Sequence, residues 1–149
     1  MINGKYYKRV FATPKMYKNI LFKSTLERDF AMYLDSRNIK WTYEGFEFEL
    51  IPQEEWTDKT EIDKTVKKIK RNKTHTLRRT VYTPDFVLPE LNLIVETKGY
   101  QFDDGLFRLR FRLFQHKYPT YAIWVVRHHN DFDKLDAVIE ALKIASNKE

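Results

Sequence analysis

The chain has 149 residues, of which 42% are hydrophobic and 15% aromatic, enough apolar material for one compact domain, so a disordered chain is excluded. It contains no cysteine, which excludes disulfides, thiolate zinc sites and a cysteine nucleophile. The 27 Lys and Arg residues outnumber the 21 Asp and Glu residues, and the resulting net charge of +6 favours a polyanionic partner such as nucleic acid.

The first part of the chain predicts a basic arm, a helix and a strand. Residues 1–19 contain five Lys and Arg residues without a sustained hydrophobic period, and we expect a basic N-terminal arm that is ordered only against a partner. Apolar residues recur at helical spacing after Ser24, which can cap a helix whose end is marked by Asn38. Apolar and acidic residues then alternate over 46–50, which is typical of a half-buried strand.

Residues 53–80 differ from their surroundings in charge. Five acids and one Lys lie in 53–63, whereas 64–80 contain eight Lys and Arg residues and no acid. The few apolar residues in this segment cannot drive packing. We therefore predict a solvated basic insertion that is either mobile or the tip of a hairpin.

The remaining residues predict strands and helices in alternation. Residues 81–88 form a strand that Pro84 interrupts, and 91–95 form an apolar strand that leads into Glu96. A buried strand follows at 121–126. Since a helix separates the last two strands, a parallel crossover is allowed, and we expect a mixed sheet flanked by helices.

Two helices are predicted in this part of the chain. The first should begin at Asp103 or Asp104 and end near Pro119, with an apolar face formed by Leu106, Leu109 and Leu113. The second should begin at Asp133, with an apolar face formed by Leu135, Val138, Ile139 and Leu142.

Three charged residues are expected to meet at the end of the strand within 91–98. Alternate residues of a strand share a face, so Glu96 and Lys98 project together. Asp85 follows Pro84, which cannot donate to a ladder, so its side chain should emerge where strand pairing breaks. If the two strands are neighbours, the carboxylates of Asp85 and Glu96 converge. Alternatively, Asp85 is a turn residue, and Glu96 and Lys98 form a surface charge pair.

Converging carboxylates predict a divalent cation. Two such groups repel each other, and one would protonate unless a cation lay between them. Mg²⁺ typically takes one or two carboxylates and fills its other positions with water and substrate phosphate. A metal at Asp85 and Glu96 would lower the pKa of a bound water and stabilise phosphoryl charge, while Lys98 would orient the water. The constellation therefore predicts phosphodiester hydrolysis.

The spacing of these residues resembles a known nuclease signature. Pro84-Asp85, followed after ten residues by Glu96-Thr97-Lys98, is similar to the motif of the PD-(D/E)XK nuclease superfamily. Over roughly residues 20–126 the chain further resembles the endonuclease I family of phage Holliday-junction resolvases, through Ser24-Thr25-Leu26-Glu27, Tyr82-Thr83-Pro84-Asp85-Phe86 and Val95-Glu96-Thr97-Lys98-Gly99.

Two departures from that family are visible. The insertion at 53–80 is longer than expected, and the residues beyond Pro119 do not obviously match. The chain is also similar to small phage nuclease-like domains of unassigned role, through Arg108, Arg110, Arg112 and Tyr118-Pro119. The superfamily resemblance is thus more specific than the resemblance to one branch.

The resemblance implies a fold, an activity and partners. The fold would be an α/β, restriction-endonuclease-like mixed β-sheet flanked by helices, in a single nuclease domain over 20–149. The activity would be that of a Mg²⁺-dependent endonuclease, with Mn²⁺ as a possible substitute, acting on branched DNA as a homodimer.

The resemblance also implies roles for individual residues. The metal site would consist of Asp85, Glu96, Glu27 and the backbone carbonyl of Thr97, and Lys98 would be the catalytic lysine beside these acids. Glu27 has a second interpretation, because Ser24 and Glu27 also have the spacing of a capping box, in which the glutamate only accepts from the backbone of Ser24.

Basic side chains outside the acidic site are candidates for binding DNA phosphates, with an affinity that falls as salt rises. They are Lys67, Lys68, Lys70, Arg71, Arg78 and Arg79 of the insertion, and Arg108 and Arg112 of the second predicted helix. Both groups could also be ordinary solvated surfaces, and the sequence does not separate the two interpretations.

The sequence also predicts a location and a leading function. No apolar run approaches the ~20 residues of a membrane span, so we expect a soluble cytoplasmic protein without a membrane partner, in the host cytoplasm if phage-encoded. The predicted function is a structure-selective endonuclease in phage recombination or packaging. The alternatives are a nicking, homing-type or sequence-specific endonuclease on the same fold, and a non-catalytic DNA-binding or packaging module.

Overall fold

The computed structural model describes residues 14–58, 61–62, 69–70, 73–98 and 105–146, which form a mixed α/β chain with several small sheets and three α-helices. The strands are β1 (Lys15–Tyr17), β2 (Ile20–Phe22), β3 (Thr42–Tyr43), β4 (Phe48–Ile51), β5 (Glu54–Asp58), β6 (Glu61–Ile62), β7 (Ile69–Lys70), β8 (Lys73–Leu77), β9 (Thr80–Tyr82), β10 (Phe86–Leu88), β11 (Leu93–Thr97) and β12 (Ala122–Val126). The helices are α1 (Thr25–Ser36), α2 (Gly105–Lys117) and α3 (Leu135–Ser146), with short 3₁₀ helices at Pro89–Leu91 and His129–Lys134.

The largest sheet has four strands in the order β12-β11-β10-β3. β10 is antiparallel to both β11 and β3, whereas β11 and β12 are parallel, with α2 between them in the chain. The predicted mixed sheet and the parallel pair over 91–126 are therefore confirmed.

Each face of this sheet is covered by apolar side chains. On one face β10 and β11 pack against α1 and α3, through Phe86, Leu88, Leu93, Val95, Phe30, Ala31, Leu34 and Leu135. On the other face the same strands pack against α2, β4 and β9, through Val87, Ile94, Phe48, Leu50, Tyr82 and Phe114. The predicted alternation along β11 is confirmed, because Ile94 lies on the opposite face from Leu93 and Val95.

Helix α1 begins and ends as its sequence predicts. The Ser24 side chain accepts from the backbone N–H of Glu27, and the Glu27 side chain accepts in return from the backbone of Ser24, which completes a capping box. After the C-terminal cap at Arg37, Asn38 has φ 54°, a left-handed conformation that asparagine tolerates better than most residues.

Helix α2 buries a different face from the one predicted. Leu106 is 55% exposed and Leu109 54% exposed, whereas Phe114 is fully buried. Leu113 does pack against the buried cluster on that face of the sheet. The expectation for Leu106 and Leu109 was wrong because aromatic residues also recur at helical spacing in this helix, and the rings of Phe48, Tyr82 and Tyr118 pack around Phe114. The predicted caps Asp103 and Asp104 lie outside the described residues.

The segment 53–80 contains paired strands where the structure describes it. β5 pairs with β8 and β6 pairs with β7, both antiparallel, so the hairpin interpretation is confirmed for these residues. The predicted strand over 81–88 is divided: β9 pairs with β4, whereas β10 joins the four-stranded sheet. The division falls at 83–85, where Pro84 cannot donate to a ladder.

Both ends of the described chain differ from expectation. Residues 15–17 of the predicted arm pair with β2, and Tyr17 donates to the Asp35 carboxylate at 2.8 Å, so this part is ordered within the chain itself. Residues 1–13 lie outside the described residues. Helix α3 begins at Leu135, after a 3₁₀ turn, and not at Asp133. Among the described helices, none is both long and apolar enough to cross a membrane.

Candidate active site

Asp85 lies where the chain passes from β9 to β10. The register pairs Phe86 with Val95, so Asp85 is adjacent to the C-terminal end of β11. Its carboxylate oxygen Oδ2 accepts two hydrogen bonds from Thr97, from the backbone N–H at 2.7 Å and from the hydroxyl at 2.8 Å. The Asp85 carbonyl accepts from the backbone N–H of Glu44 at 2.9 Å, which fixes the main chain at this point.

Glu96 is a carboxylate buried in the sheet. Only 3% of the residue is exposed, and its Oε1 accepts a hydrogen bond from the buried Tyr82 hydroxyl. Its Oε2 lies 3.4 Å from the ammonium nitrogen of Lys98. Tyr82 and Lys98 thus contact different oxygens of the same carboxylate and hold it in one orientation.

The surroundings of Glu96 oppose its ionisation. Burial is the largest cause that raises the pKa of this carboxyl, and the negative charge of Asp85 raises it further. The Tyr82 hydrogen bond and the Lys98 charge lower the pKa, without cancelling those effects. Burial, followed by the charge of Glu96, raises the pKa of the Tyr82 hydroxyl, which therefore remains a donor. The two acids are close enough to repel each other, a situation that a cation between them would relieve.

Lys98 directly follows β11 and is held from two sides. Its backbone N–H donates to the Val126 carbonyl at 2.9 Å, continuing the parallel pairing with β12. Its ammonium nitrogen lies 4.5 Å from the centroid of the Phe107 ring on α2, a cation–π contact. Partial exposure of the side chain leaves the ammonium able to reach a ligand.

These groups line one cavity of about 260 Å³. Its walls combine three acids with three cationic side chains and the aromatic ring of Phe107 on α2. The lining residues are Lys23, Glu44, Val81, Tyr82, Thr83, Asp85, Glu96, Lys98, Phe107 and Arg110. The structure thus brings together the predicted Asp85, Glu96 and Lys98 in one pocket, where three cationic side chains balance three acids in formal charge.

Two lining residues, Lys23 and Arg110, were not among the predicted site residues. Arg110 follows Phe107 by three residues and precedes Phe114 by four, so it flanks the buried face of α2. That spacing was a usable signal, and the leucine interpretation of α2 obscured it. Lys23 pairs with Glu44, which also lines the cavity, and no local pattern in the sequence predicts that contact.

Glu27 is buried on α1, close to the cavity but not among its described lining residues. Its Oε2 accepts from the Lys23 and Ser24 backbone N–H groups at 2.8 and 3.2 Å, and from the Tyr43 hydroxyl at 2.7 Å. The capping interpretation is confirmed. Glu27 is linked electrostatically to the site through Lys23. The hydrogen bond to Glu44 is the largest cause that raises the pKa of Lys23, and the charges of Asp85 and Glu27 raise it further.

The described residues contain no group of three or more His, Asp or Glu side chains arranged to hold a metal ion. Glu27 as a third metal-site acid therefore stays a prediction, as does the carbonyl of Thr97. The donor set that could hold a cation is the pair of carboxylates, Asp85 and Glu96. Mg²⁺ needs only one or two protein carboxylates and completes its shell with water and phosphate, so these two residues fit that ion.

The predicted DNA-binding residues are distributed over two regions. Arg108 and Arg112 are exposed on α2, where they border a shallow apolar cavity with Phe107, Phe111 and Val125. Arg78 is exposed, and Arg79 forms an ion pair with Glu49 at 3.2 Å. Lys67, Lys68 and Arg71 lie outside the described residues, and for Lys70 the structure describes only the backbone in β7.

Comparisons with protein-family models, with curated proteins and with solved structures found no match to this chain. The interpretation of the site therefore depends on its own residues and their geometry.

Proposed function

We propose that this protein is a Mg²⁺-dependent endonuclease that hydrolyses phosphodiester bonds in DNA, on a restriction-endonuclease-like arrangement of the mixed sheet and its helices. One observation carries the proposal: Asp85 and Glu96 converge from neighbouring antiparallel strands, with the Lys98 ammonium 3.4 Å from Glu96. The convergence is built by non-local strand pairing, and it places two repelling acids beside cations in one cavity.

Asp85 and Glu96 would hold the metal ion. A divalent ion at such a pair supplies Lewis-acid stabilisation of phosphoryl charge and a water of lowered pKa. Thr97 orients Asp85 and Tyr82 orients Glu96 through the hydrogen bonds described above. These two partners keep the carboxylates positioned before substrate arrives, which reduces the reorganisation needed for reaction.

Lys98 positions the attacking water and neutralises charge on the scissile phosphate. The water oxygen attacks phosphorus in line, and the 3′ oxygen leaves and takes up a proton, which produces a 5′-phosphate and a 3′-hydroxyl. Arg110 and Lys23, which both line the cavity, would bind the phosphates that flank the scissile bond.

The proposed substrate is branched DNA, with the resolution of four-way junctions in phage recombination or packaging as the biological role. Two symmetric cuts need two active sites, so the functional unit would be a homodimer. Basic side chains on α2 and on the hairpin would bind the duplex arms through their phosphates.

The test compares three DNA substrates in Mg²⁺ and in EDTA: a linear duplex, a single strand and a four-way junction. We expect the junction to be cut only in Mg²⁺ or Mn²⁺. Asp85→Asn and Lys98→Ala should abolish cutting while leaving junction binding in EDTA intact. Asp133→Asn and Lys143→Ala change the same residue types at exposed positions on other elements and should cut normally.

Each contrary result has a defined meaning. Cutting that persists in EDTA would exclude the metal mechanism. A linear duplex cut as readily as the junction would exclude junction selectivity and leave a nicking, homing-type or sequence-specific endonuclease. Junction binding without cutting in any metal would leave a non-catalytic DNA-binding or packaging module, which tolerates Asp85→Asn and Lys98→Ala.

A further inference from the structure

Lys23 and Glu44 meet at the candidate active site from two separate segments of the chain. Lys23 directly follows β2, and Glu44 directly follows β3. Their side chains form an ion pair, and both residues line the cavity that contains Asp85 and Glu96. The Lys23 side chain is 67% exposed, so burial does not fix its position. Other contacts must hold this cation at the cavity.

Glu27 connects the two segments that carry this ion pair. It is buried on α1, and its Oε2 accepts from the backbone N–H of Lys23 at 2.8 Å and from the hydroxyl of Tyr43 at 2.7 Å. The Lys23 N–H also donates to the Tyr43 hydroxyl, at 3.3 Å. Lys23, Glu27 and Tyr43 thus form a closed triangle of hydrogen bonds. Because Tyr43 directly precedes Glu44, this triangle fixes the main chain beside both members of the ion pair.

The main chain of each segment is anchored further. Phe22, directly before Lys23, is fully buried, and its ring contacts the Tyr43 ring with centroids 4.5 Å apart. The Glu44 backbone N–H donates to the Asp85 carbonyl at 2.9 Å. Glu44 has φ 46°, a left-handed conformation that residues other than glycine adopt infrequently. Both segments are therefore held against the site, and the Glu27 carboxylate bonds to each of them.

Resting on the proposed action on DNA, we propose that Glu27 is a positioning residue that keeps Lys23 at the cavity to bind a DNA phosphate. Its Oε2 holds the Lys23 backbone beside Tyr43, and Glu44 restrains the Lys23 ammonium until a phosphate replaces it. A cation that is already in place loses less conformational freedom when its ligand arrives. Glu27 thus acts through Lys23, without contacting the metal ion or the substrate.

A role for Glu27 as a metal ligand gives different expectations. A carboxylate that coordinates Mg²⁺ contributes its negative charge, so the corresponding amide binds the ion less well. A positioning residue of this kind contributes an acceptor oxygen, which glutamine also has, and a capping box accepts either residue at this position. Glu27→Gln therefore separates the two roles, because it removes the charge and keeps the acceptor. Glu27→Ala removes both.

The first measurement is binding to a four-way DNA junction in EDTA, where no cutting occurs, over a range of salt concentrations. Each neutralised phosphate contributes about 0.9 to the slope of log K against log salt. Lys23→Ala and Glu27→Ala should each reduce this slope by about 0.9 for each bound subunit. The double variant should lose no more than either single variant, because both act through one contact. Glu27→Gln should keep the wild-type slope.

The second measurement is metal binding, followed through the loss of the electron paramagnetic resonance signal of free Mn²⁺ as protein is added. Asp85→Asn should lose Mn²⁺ binding, because Asp85 is one of the two proposed ligands. Glu27→Gln and Glu27→Ala should both retain it.

Asp35→Asn is the matched control for a general loss of stability. Asp35 lies on the same helix, and its carboxylate likewise accepts from a tyrosine hydroxyl, that of Tyr17 at 2.8 Å, and from the Trp41 ring N–H at 3.1 Å. It is not among the described lining residues of the cavity, so this variant should keep the wild-type slope. If Glu27→Ala does not fold, Tyr43→Phe replaces it. That variant removes one donor to Glu27 and should also reduce the slope, with no further loss when combined with Lys23→Ala.

Three results would overturn the inference: a slope unchanged in Lys23→Ala or Glu27→Ala, a double variant that loses the sum of both effects, or a Glu27→Gln variant that loses Mn²⁺ binding as Asp85→Asn does. The proposed nuclease is judged separately, by cutting in Mg²⁺. A wild-type protein that binds no Mn²⁺ would count against the nuclease and not against the role of Glu27. A protein whose Lys23 and Glu27 variants share one loss of DNA binding but which cuts no DNA would retain this inference and reject the nuclease.

Discussion

The Thr97 backbone N–H and hydroxyl both donate to the same oxygen of Asp85, at 2.7 and 2.8 Å. Asp85 and Thr97 belong to segments that meet only because β10 pairs with β11. Because both hydrogen bonds end on Oδ2, the other carboxylate oxygen of Asp85 is the one available to a ligand. These bonds also make the hydroxyl of Thr97, a residue without charge, part of the positioning of the site.

Thr97→Val should lower both stability and cutting. The substitution preserves shape and the backbone bond but removes the hydroxyl donor to a carboxylate, which typically lowers the free energy of unfolding by about 1.5 to 3 kcal/mol. Cutting should fall as well, because the Asp85 carboxylate is then held only by the hydrogen bond from the backbone N–H of residue 97. Thr97→Ser keeps the donor and should retain most of the activity. Chemical denaturation and single-turnover cutting measure the two effects, and equal activity of both variants would contradict the positioning role.

Tyr82→Phe should shift the pH dependence of cutting. The Tyr82 hydrogen bond lowers the pKa of Glu96, so its removal raises that pKa further. Because Glu96 must be ionised to hold a cation, the acidic limb of the rate profile should move to higher pH. Loss of this donor to the buried Glu96 carboxylate should also lower the free energy of unfolding by about 1 to 3 kcal/mol at pH values where Glu96 is charged.

The control for that substitution is Tyr118→Phe. Tyr118 packs in the same cluster, but its hydroxyl donates to the Glu49 backbone carbonyl at 3.0 Å and does not contact the acids. Its removal should leave the pH profile unchanged. An identical profile for Tyr82→Phe and the wild type would mean that Glu96 does not titrate in the reaction.

A pair of substitutions on α2 tests which face of the helix is buried. Phe114→Ala should lower the free energy of unfolding by about 3 to 5 kcal/mol, because the ring is fully enclosed by other aromatic residues. Leu109→Ala should change it by less than about 0.5 kcal/mol, because Leu109 is mostly exposed. Denaturant unfolding of both variants measures the contrast. A large decrease in the free energy of unfolding for Leu109→Ala would contradict this and indicate that Leu109 is buried.

Asp131 should contribute a stability that depends on pH. Its carboxylate accepts from the Lys134 ammonium at 2.6 Å and from the Arg127 and His128 backbone N–H groups at 2.8 and 3.1 Å, which lowers its pKa from 3.8 to about 2, with Lys134 as the largest cause. A carboxyl whose pKa is lower in the folded state stabilises the fold fully at pH values above its pKa in the unfolded chain. This stabilisation is lost as the pH falls through its pKa in the folded protein.

Asp131→Asn should therefore destabilise the protein by about 1 kcal/mol near neutral pH, a magnitude that allows for solvent screening of Lys134. The difference from the wild type should shrink between about pH 4 and 2, which thermal unfolding over that range will measure. Asp133→Asn, an exposed neighbour, should show no such trend. A difference that stays constant down to pH 2 would contradict the assignment.

Local patterns predicted the parts of the fold that depend on neighbouring residues. The capping box of Ser24 and Glu27 and the alternation along β11 were both confirmed, because capping and strand alternation are decided within a few residues. The prediction that Leu106 and Leu109 lie on the buried face of α2 was wrong. Leucines and phenylalanines both recur there at helical spacing, and only the rings presented by β4 and β9 select the phenylalanines.

The amino-acid sequence by itself determined which side chains carry the candidate chemistry: the acids at Asp85 and Glu96, and Lys98 two residues further on the same face. Tertiary structure alone decided what surrounds them. Lys23, Tyr82 and Arg110 reach the cavity from a loop, a different sheet and a helix. The reason is physical: spacing along a strand follows from backbone geometry, whereas contacts between distant segments depend on which strands pair and which helix face is buried.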